Sequence, residues 1–442
     1  MHRRMSRRKL ALFLGDFLFI GFTLVILFLI QMADQSRALN APIRNGWRFL
    51  PFFSLWIAYM TSFYIFDLYN PRLKIRDLLF VVLFGAAMIT VAAWMTLFFY
   101  LFPQQLERVA LLLHLLLTAC FAIFWRLIFS WMFKRTVPRR NVLFIGTDQQ
   151  SEEFMQSIDG RDNHVFIAHG IEEIRSQPLA SQPIQQIIFS LDSLQDIDLA
   201  THLVDCKLKG IQVLDMPSFV EAVSEKIPLH LVEERWLLQC RGFDQWGRFL
   251  YKRLRRIIDL LAGFLILLAG LPIAVAIAAA IKLTSAGPVF YTQQRVGKNH
   301  QQFRLIKFRT MVKNAEGLMP RYAALHDPRI TAVGKFLRHL RLDELPQAFN
   351  IIRGDMSFIG PRPERPEWVS QFEERIPLYS LRFHIKPGLT GWAQVQYRYG
   401  DSDQDTREKL QYDLYYIKNM SLLMDLRIML KTVRIILLGK GR

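Results

Sequence analysis

At 442 residues the chain is long enough for two or three domains. It is 52% hydrophobic with 35 Phe, and 56 Lys+Arg against 38 Asp+Glu leave a formal charge of +18. Such a balance suits anionic partners, and long apolar segments without an aromatic-basic nucleic-acid module favour lipid or phosphorylated groups over nucleic acid. Three cysteines (Cys120, Cys206, Cys240), widely spaced and odd in number, exclude a disulfide framework and a zinc pattern.

Four stretches near 10–32, 49–66, 78–102 and 109–133 are apolar enough to cross a bilayer, which takes about 20 residues in a helix. The first is too long for a signal-peptide core and lacks a small-residue cleavage site, so it reads as a retained span. Basic residues concentrate in the N-terminal "MHRRMSRRK", in the 67–77 loop (Arg72, Lys74, Arg76) and after the fourth span (Lys134, Arg135, Arg139, Arg140). The positive-inside rule then places both ends of this bundle, residues 1–138, in the cytoplasm. Asp16 in the first span and Asp67 at the end of the second are costly in lipid, and interfacial placement or helix pairing is expected for both.

Residues 139–245 change character. "RRNVLFIGTD", "IQQIIFSL" and "GIQVLDM" read as short strands alternating with helical patterns, a small βαβ domain of parallel-sheet type. The turn after the first strand, "GTDQQS", has one glycine where a dinucleotide fingerprint has three, so the domain reads as degenerate and regulatory or oligomeric.

A fifth apolar segment, "RRIIDLLAGFLILLAGLPIAVAIAAAIKLTSAGP", carries Pro272 at its midpoint. Lys252, Arg253, Arg255 and Arg256 precede it, and Lys282 and Arg295 follow. A central proline between two basic flanks fits a helix-break-helix, over 255–284, that enters the membrane and returns to the same face. The C-terminal stretch alternates apolar and basic residues at helical spacing, as two amphipathic helices on an anionic surface would.

Between them lies a polar region dense in Gly, Pro, Arg and Lys. It holds "GPVFYTQQRVG", "KFRTM", "DPRIT", "RLDELPQAFNIIRGDMSFIGPRP" and "KPGLTGWAQV". Guanidinium forks match phosphate oxygens bidentately, so cationic loops beside a membrane segment suggest phosphorylated ligands. The adjacent Asp343 and Glu344 stand among these cations. From residue type alone they are a helix start, a metal ligand or a nucleophile. Side chains of adjacent helical residues diverge by about 100°, which favours different roles for the two.

These motifs carry a resemblance. From about 246 to 442 the chain resembles the bacterial sugar transferase family, the polyprenyl-phosphate hexose-1-phosphate transferases or monotopic phosphoglycosyl transferases. Arg256, Asp259, the mid-segment proline, "RVG", "KFRTM", "LDELPQ", "GDMSFIGPRP" and "KPGLTGWAQ" all fall in place. The four spans and the degenerate βαβ domain resemble the family's long form. The implied fold class is an α/β membrane protein: a transmembrane four-helix bundle, a Rossmann-like domain, and a catalytic α+β domain (246–442) anchored by a re-entrant helix.

The resemblance implies transfer of hexose-1-phosphate from a UDP-hexose, with glucose or galactose foremost, to undecaprenyl phosphate, releasing UMP. It implies Mg²⁺, Asp343 as the nucleophile that forms a covalent phosphosugar, and Glu344 beside it as metal ligand, base or orienter. Pro272 becomes the re-entrant break. Lys307, Arg309 and Arg362 are the phosphate-binding candidates, with Arg295 and Lys386 behind them. A homodimer in the bacterial inner membrane, multi-pass and with its catalytic domain on the cytoplasmic face, completes the expectation. Trp392 and its "GLTGW" turn read as structural. A membrane-tethered NAD-dependent dehydratase or epimerase would need an intact glycine fingerprint, which is missing; an assembly platform stays open for residues 1–245.

Overall fold

The computed structural model describes residues 2–37, 50–69, 75, 77–101, 108–133, 140–145, 164–169, 186–190, 197–232, 236–237, 240, 242–243, 249–312, 327–397 and 402–437. The chain divides into two units, Met1–Met216 and Pro217–Arg442.

The first unit opens with four apolar helices: α1 (His2–Arg37), α2 (Leu50–Ile65), α3 (Leu78–Leu101) and α4 (Arg108–Phe133). α1, α3 and α4 each hold an apolar window long enough to cross a membrane. α2 is described over 16 residues, about 24 Å at 1.5 Å per residue, which is short of a roughly 30 Å hydrocarbon core. α1 and α4 meet where Gly15 has no side chain; a Cβ there would fall 1.9 Å from the Trp125 ring. At the next residue of each helix, Arg126 NH1 and NH2 each lie 2.8 Å from a carboxylate oxygen of Asp16. Asp16 is therefore a helix-pairing residue, its charge matched inside the bundle rather than exposed to lipid. Asp67 takes a left-handed conformation in the turn that ends α2.

The same unit carries a four-stranded sheet of β1 (Arg140–Ile145), β2 (His164–His169), β3 (Gln186–Phe189) and β4 (Gln212–Asp215), in the order β2-β1-β3-β4 and parallel throughout. Val142 to Ile145 are all buried, the unbroken apolar run of a strand covered on both faces. α5 (Ile197–Leu208) crosses between β3 and β4 and sets Leu199, Leu203 and Cys206 on Leu143, Ile145 and Ile187. This is the βαβ pattern read from the sequence. The "GTDQQS" turn lies outside the described residues.

The second unit begins with α6 (Met216–Ser224), whose end and following residues lock onto the C-terminal helices α12 (Asp403–Lys418) and α13 (Leu422–Leu437). Glu221 accepts from Lys418 Nζ at 2.5 Å, Glu225 pairs with both Arg427 amines at 2.9 Å, and the Glu225 carbonyl accepts from Trp392 Nε1 at 3.0 Å. The contacts thus part the chain at 216/217, where the composition had suggested 245/246. The parallel four-stranded sheet ends at β4, and the polar partners of Glu221 and Glu225 are supplied from far along the chain. Trp392 is fully buried, under Arg427 and Lys431, as its structural reading requires.

α7 (Phe249–Thr284) is the spine of this unit, a single helix of about 54 Å that runs through Pro272. The expected separation into two helical halves is absent from its helical pattern. A proline forfeits one hydrogen bond, here to the Leu268 carbonyl, and an apolar helix of this length tolerates that loss. One face of α7 meets the polar domain along its whole length. Asp259 Oδ1 accepts from Ser357 Oγ and Phe358 N, both at 3.1 Å. Gly263 faces Ile352, Gly270 faces Leu345, and Ile277 and Ile281 pack with Phe308 and Leu337. Leu261, Phe264, Leu265, Leu268, Leu271 and Val275 point outward and are exposed.

Around the spine stand the antiparallel hairpin β5 (Phe290–Val296) and β6 (Gln302–Phe308), then α8 (Ala332–His339), α9 (Gln347–Arg353), β7 (Ser357–Ile359), α10 (Pro366–Arg375), β8 (Gly388–Thr390) and α11 (Trp392–Gln396). Asn350 knits α9 to β6: its Oδ1 accepts from Ile306 N at 3.1 Å, and its Nδ2 donates to Arg304 O at 2.7 Å and Asp355 Oδ2 at 3.1 Å. β7 and β8 pair in parallel, with Gly360, Gly388 and Gly391 in backbone contact. A Cβ on Gly388 or Gly391 would fall 2.1 Å from a Gly360 backbone atom. Of the two C-terminal helices expected on the membrane surface, α12 buries its apolar residues in the domain. Only α13 presents an exposed apolar stripe, Leu422, Leu426, Met429, Val433 and Ile436. Its spacing of three and four residues keeps that stripe on one face.

Candidate active site

The site is built on a one-turn 3₁₀ helix, Leu342–Glu344, between α8 and α9. Arg341 enters it in the left-handed region (φ 58°), an uncommon choice for a non-glycine residue. The turn brings the Arg341 guanidinium back to Glu344, three residues on. In a 3₁₀ turn successive side chains diverge by about 120°, and the two acids acquire different surroundings.

Glu344 is the ionic centre. Its Oε1 lies 3.4 Å from Lys307 Nζ, 3.4 Å from Arg341 NH1 and 3.3 Å from Arg362 NH2. Burial alone would raise its pKa, but these three cations outweigh it and hold the carboxyl down at about 2. Asp343 shifts the opposite way: burial and then the neighbouring Glu344 charge push it up, against Lys307, Arg338 and Arg341. Its Oδ1 is buried with no hydrogen-bond partner. An unsatisfied carboxylate oxygen beside a cation cluster is poised to meet an electropositive centre such as phosphorus or a metal ion.

The other expected residues separate into groups. Lys307, from the end of β6, and Arg362, from the loop after β7, converge on the dyad. Arg295 stands behind them; it donates to Pro363 O at 3.0 Å and Gln293 Oε1 at 2.6 Å and faces Glu364 at 3.5 Å. Arg309 points elsewhere, capping the end of α7 through Ser285 O at 2.8 Å and Ser285 Oγ at 2.7 Å. Lys386 belongs to another cluster, near Arg256 at Gly354, where Arg256 donates to the last carbonyls of α9, Ile351 O and Ile352 O, both at 2.7 Å. Burial, then Arg256, lowers the Lys386 pKa. Pro272 lies two residues beyond Gly270, which faces Leu345, so the dyad sits beside the middle of α7.

Two cations escaped the sequence reading, Arg338 and Arg341. Arg338 is fixed by its Nε bond to Thr310 Oγ1 at 2.8 Å and contributes positive potential at Asp343. Their spacing of two and five residues before Asp343 was visible, but only the left-handed turn folds Arg341 back onto Glu344.

Among the described residues no group of three or more His, Cys, Asp or Glu could hold a metal ion. A Mg²⁺ ion takes one or two carboxylates and completes its shell with water and substrate phosphate, so the dyad and the partnerless Asp343 Oδ1 fit it chemically.

The family model described as bacterial sugar transferase matches residues 250–439, which contain this whole site. The UDP-glucose:undecaprenyl-phosphate glucose-1-phosphate transferase of Caulobacter vibrioides is 37% identical over 208 residues, 47% of this chain and 78% of that protein. The chain belongs to the bacterial sugar transferase family. Two longer relatives of the same kind also align. The UDP-N-acetylgalactosamine-undecaprenyl-phosphate N-acetylgalactosaminephosphotransferase of Aeromonas hydrophila is 41% identical over 256 residues, 56% of this chain and 58% of that protein. The UDP-glucose:undecaprenyl-phosphate glucose-1-phosphate transferase of Escherichia coli K12 is 40% identical over 182 residues, 41% of this chain and 39% of that protein. The alignments thus span about half the length of these two relatives.

Proposed function

We propose that this bacterial sugar transferase moves a sugar 1-phosphate from a UDP-sugar to undecaprenyl phosphate, releasing UMP, as the first step of an exopolysaccharide, capsule or O-antigen. The observation that carries the reading is the buried, partnerless Oδ1 of Asp343 next to a carboxylate ringed by three cations.

In this reading a carboxylate oxygen of Asp343 attacks the β-phosphorus of the donor. The bond between that phosphorus and the bridging oxygen breaks, and UMP leaves with the electron pair. The phosphate of the lipid then attacks the aspartyl-phosphosugar, forms the lipid diphosphate sugar and frees the Asp343 carboxylate. Phosphoryl transfer asks mainly for positioning and for neutralisation of non-bridging oxygens. Lys307, Arg341 and Arg362 supply both, held in place by Glu344 until phosphate oxygens compete for them. A Mg²⁺ ion bound at Asp343 and Glu344 would supply further charge neutralisation on the diphosphate.

α7 supports the proposed membrane placement. Contacts with one polar domain run from Asp259 to Ile281, so a straight crossing would carry part of that domain into the hydrocarbon. The proposed path is re-entrant and needs α7 to bend at Pro272 in the membrane, where a proline kinks a helix without ending it. With the exposed leucines in lipid and both ends on the cytoplasmic face, it keeps the dyad at headgroup depth, where a lipid phosphate lies. Homodimerisation stays part of this proposal as an expectation of the family resemblance.

Glucose or galactose is the proposed sugar. The Aeromonas relative's name makes an N-acetylated galactose the second reading. UMP release by the purified protein with undecaprenyl phosphate, Mg²⁺ and a panel of UDP-sugars tests both. Turnover with one UDP-sugar supports the reading and names the donor; no UMP from any of them contradicts it.

A further inference from the structure

Four consecutive carbonyls, Pro361 to Glu364, are each held from outside their own loop. Gly388 N donates to Pro361 O and Val296 N to Glu364 O, both at 2.9 Å. Between them Arg382 NH2 donates to Arg362 O at 3.0 Å, and Arg295 NH1 to Pro363 O at 3.0 Å. Prolines on either side of Arg362 fix φ and offer no N–H. The backbone of Arg362 is pinned while its side chain reaches Glu344.

Arg382 is the buried member of this clamp. Its NH1 donates to Tyr379 OH at 2.5 Å, and the amine that holds Arg362 O also donates to Asp413 Oδ2 at 3.0 Å. All three residues are buried, Asp413 to 2% exposure and Tyr379 to 1%. A buried Arg–Asp pair loses hydration that Coulomb attraction recovers only in good geometry, and apolar residues of the same volume often stabilise as well. What apolar residues cannot do is donate to the carbonyl of a site arginine.

We propose that Arg382, oriented by Asp413 and Tyr379, is a positioning residue that fixes the Arg362 backbone so that its guanidinium meets Glu344 and the donor diphosphate. The inference rests on the transferase reading above. Lysine at 382 brings one point charge to three acceptors and cannot reproduce the planar fork. The loss should appear mainly in kcat, because misplacement of a charge-neutralising group costs most in the transition state.

The test is a double-mutant cycle on UMP release by the full-length protein. Arg362→Ala should lower kcat/KM on the order of 100-fold, the scale for removing one transition-state donor. Arg382→Lys should lower it about 10-fold alone, and less than about 2-fold further once Arg362 is alanine, because nothing is left to position. Tyr379→Phe, which keeps the ion pair, runs the same cycle with a smaller first step and serves if Arg382→Lys does not fold. Non-additive losses support the inference. Losses that multiply, or an unchanged kcat/KM, make Arg382 merely structural and overturn it. A wild-type protein that releases no UMP overturns the transferase reading, and this inference with it.

Discussion

Asp343 and Glu344 are adjacent in one turn yet shifted in opposite directions, Glu344 down to about 2 by its cations and Asp343 up by burial and by the charge of Glu344. In the proposed mechanism one carboxylate organises the site and the other reacts. The first consequence is a pH profile. Attack needs the ionised form of Asp343, so kcat/KM should rise with pH through an apparent pKa above the usual 3.8. Measured rates from pH 4 to pH 8 check this; an acid limb at or below the usual aspartate value would contradict it.

The same shifts act on stability with opposite signs. Glu344, depressed, contributes stability that is present above its usual 4.5 and is lost as pH falls through about 2. Asp343, raised, contributes stability that is present below 3.8 and is lost as pH rises through its folded value. Glu344→Gln leaves Lys307, Arg341 and Arg362 crowded around a neutral group and should cost about 3 kcal/mol at pH 7. Asp343→Asn relieves a buried charge and should be neutral or stabilising. Denaturant midpoints of the two variants, compared with wild type, settle the sign.

Asn350 is the clip between α9 and β6. Asn350→Leu removes three hydrogen bonds, leaves Arg304 O and Ile306 N without their side-chain partner, and should cost about 3 kcal/mol. The thermal midpoint reads it out, and an unchanged midpoint would mean that the clip is dispensable.

Truncation separates the two proposed boundaries. A chain starting at residue 217 keeps the Glu221 and Glu225 partners of Lys418, Arg427 and Trp392, whereas one starting at 246 strips all three. The shorter version should be less stable by about 2–4 kcal/mol. Equal stability of the two would show that residues 217–245 do not belong to the catalytic unit.

The fold and site were legible in the sequence to different depths. The apolar spans and three of the four parallel strands declare themselves through apolar runs, and the dyad through its charge among cations. β2 (His164–His169), with a histidine at each end, went unread. Lys307 and Arg362 were named from the motifs that contain them, "KFRTM" and "GPRP", and both reach Glu344. Arg309 was not, since its residue type suits phosphate and a helix cap equally, and only the proximity of Ser285 decides for the cap. Arg341 acts through a left-handed turn that periodicity does not signal. Arg382 lies in a stretch with no motif, and its role depends on Asp413, 31 residues away. Composition places residues 217–245 with the preceding strands, while Glu221 and Glu225 find their partners in the chain's last quarter, a pairing that no local pattern signals.

The central claim is that Asp343 carries the sugar phosphate. Intact-protein mass spectrometry after incubation with UDP-sugar and Mg²⁺, without lipid acceptor, tests it most directly. A mass increase of one sugar phosphate is expected on Asp343, discharged when undecaprenyl phosphate is added and missing in Asp343→Asn. An Asp343→Asn protein that still acquires the adduct, or that turns over at the wild-type rate, would contradict it.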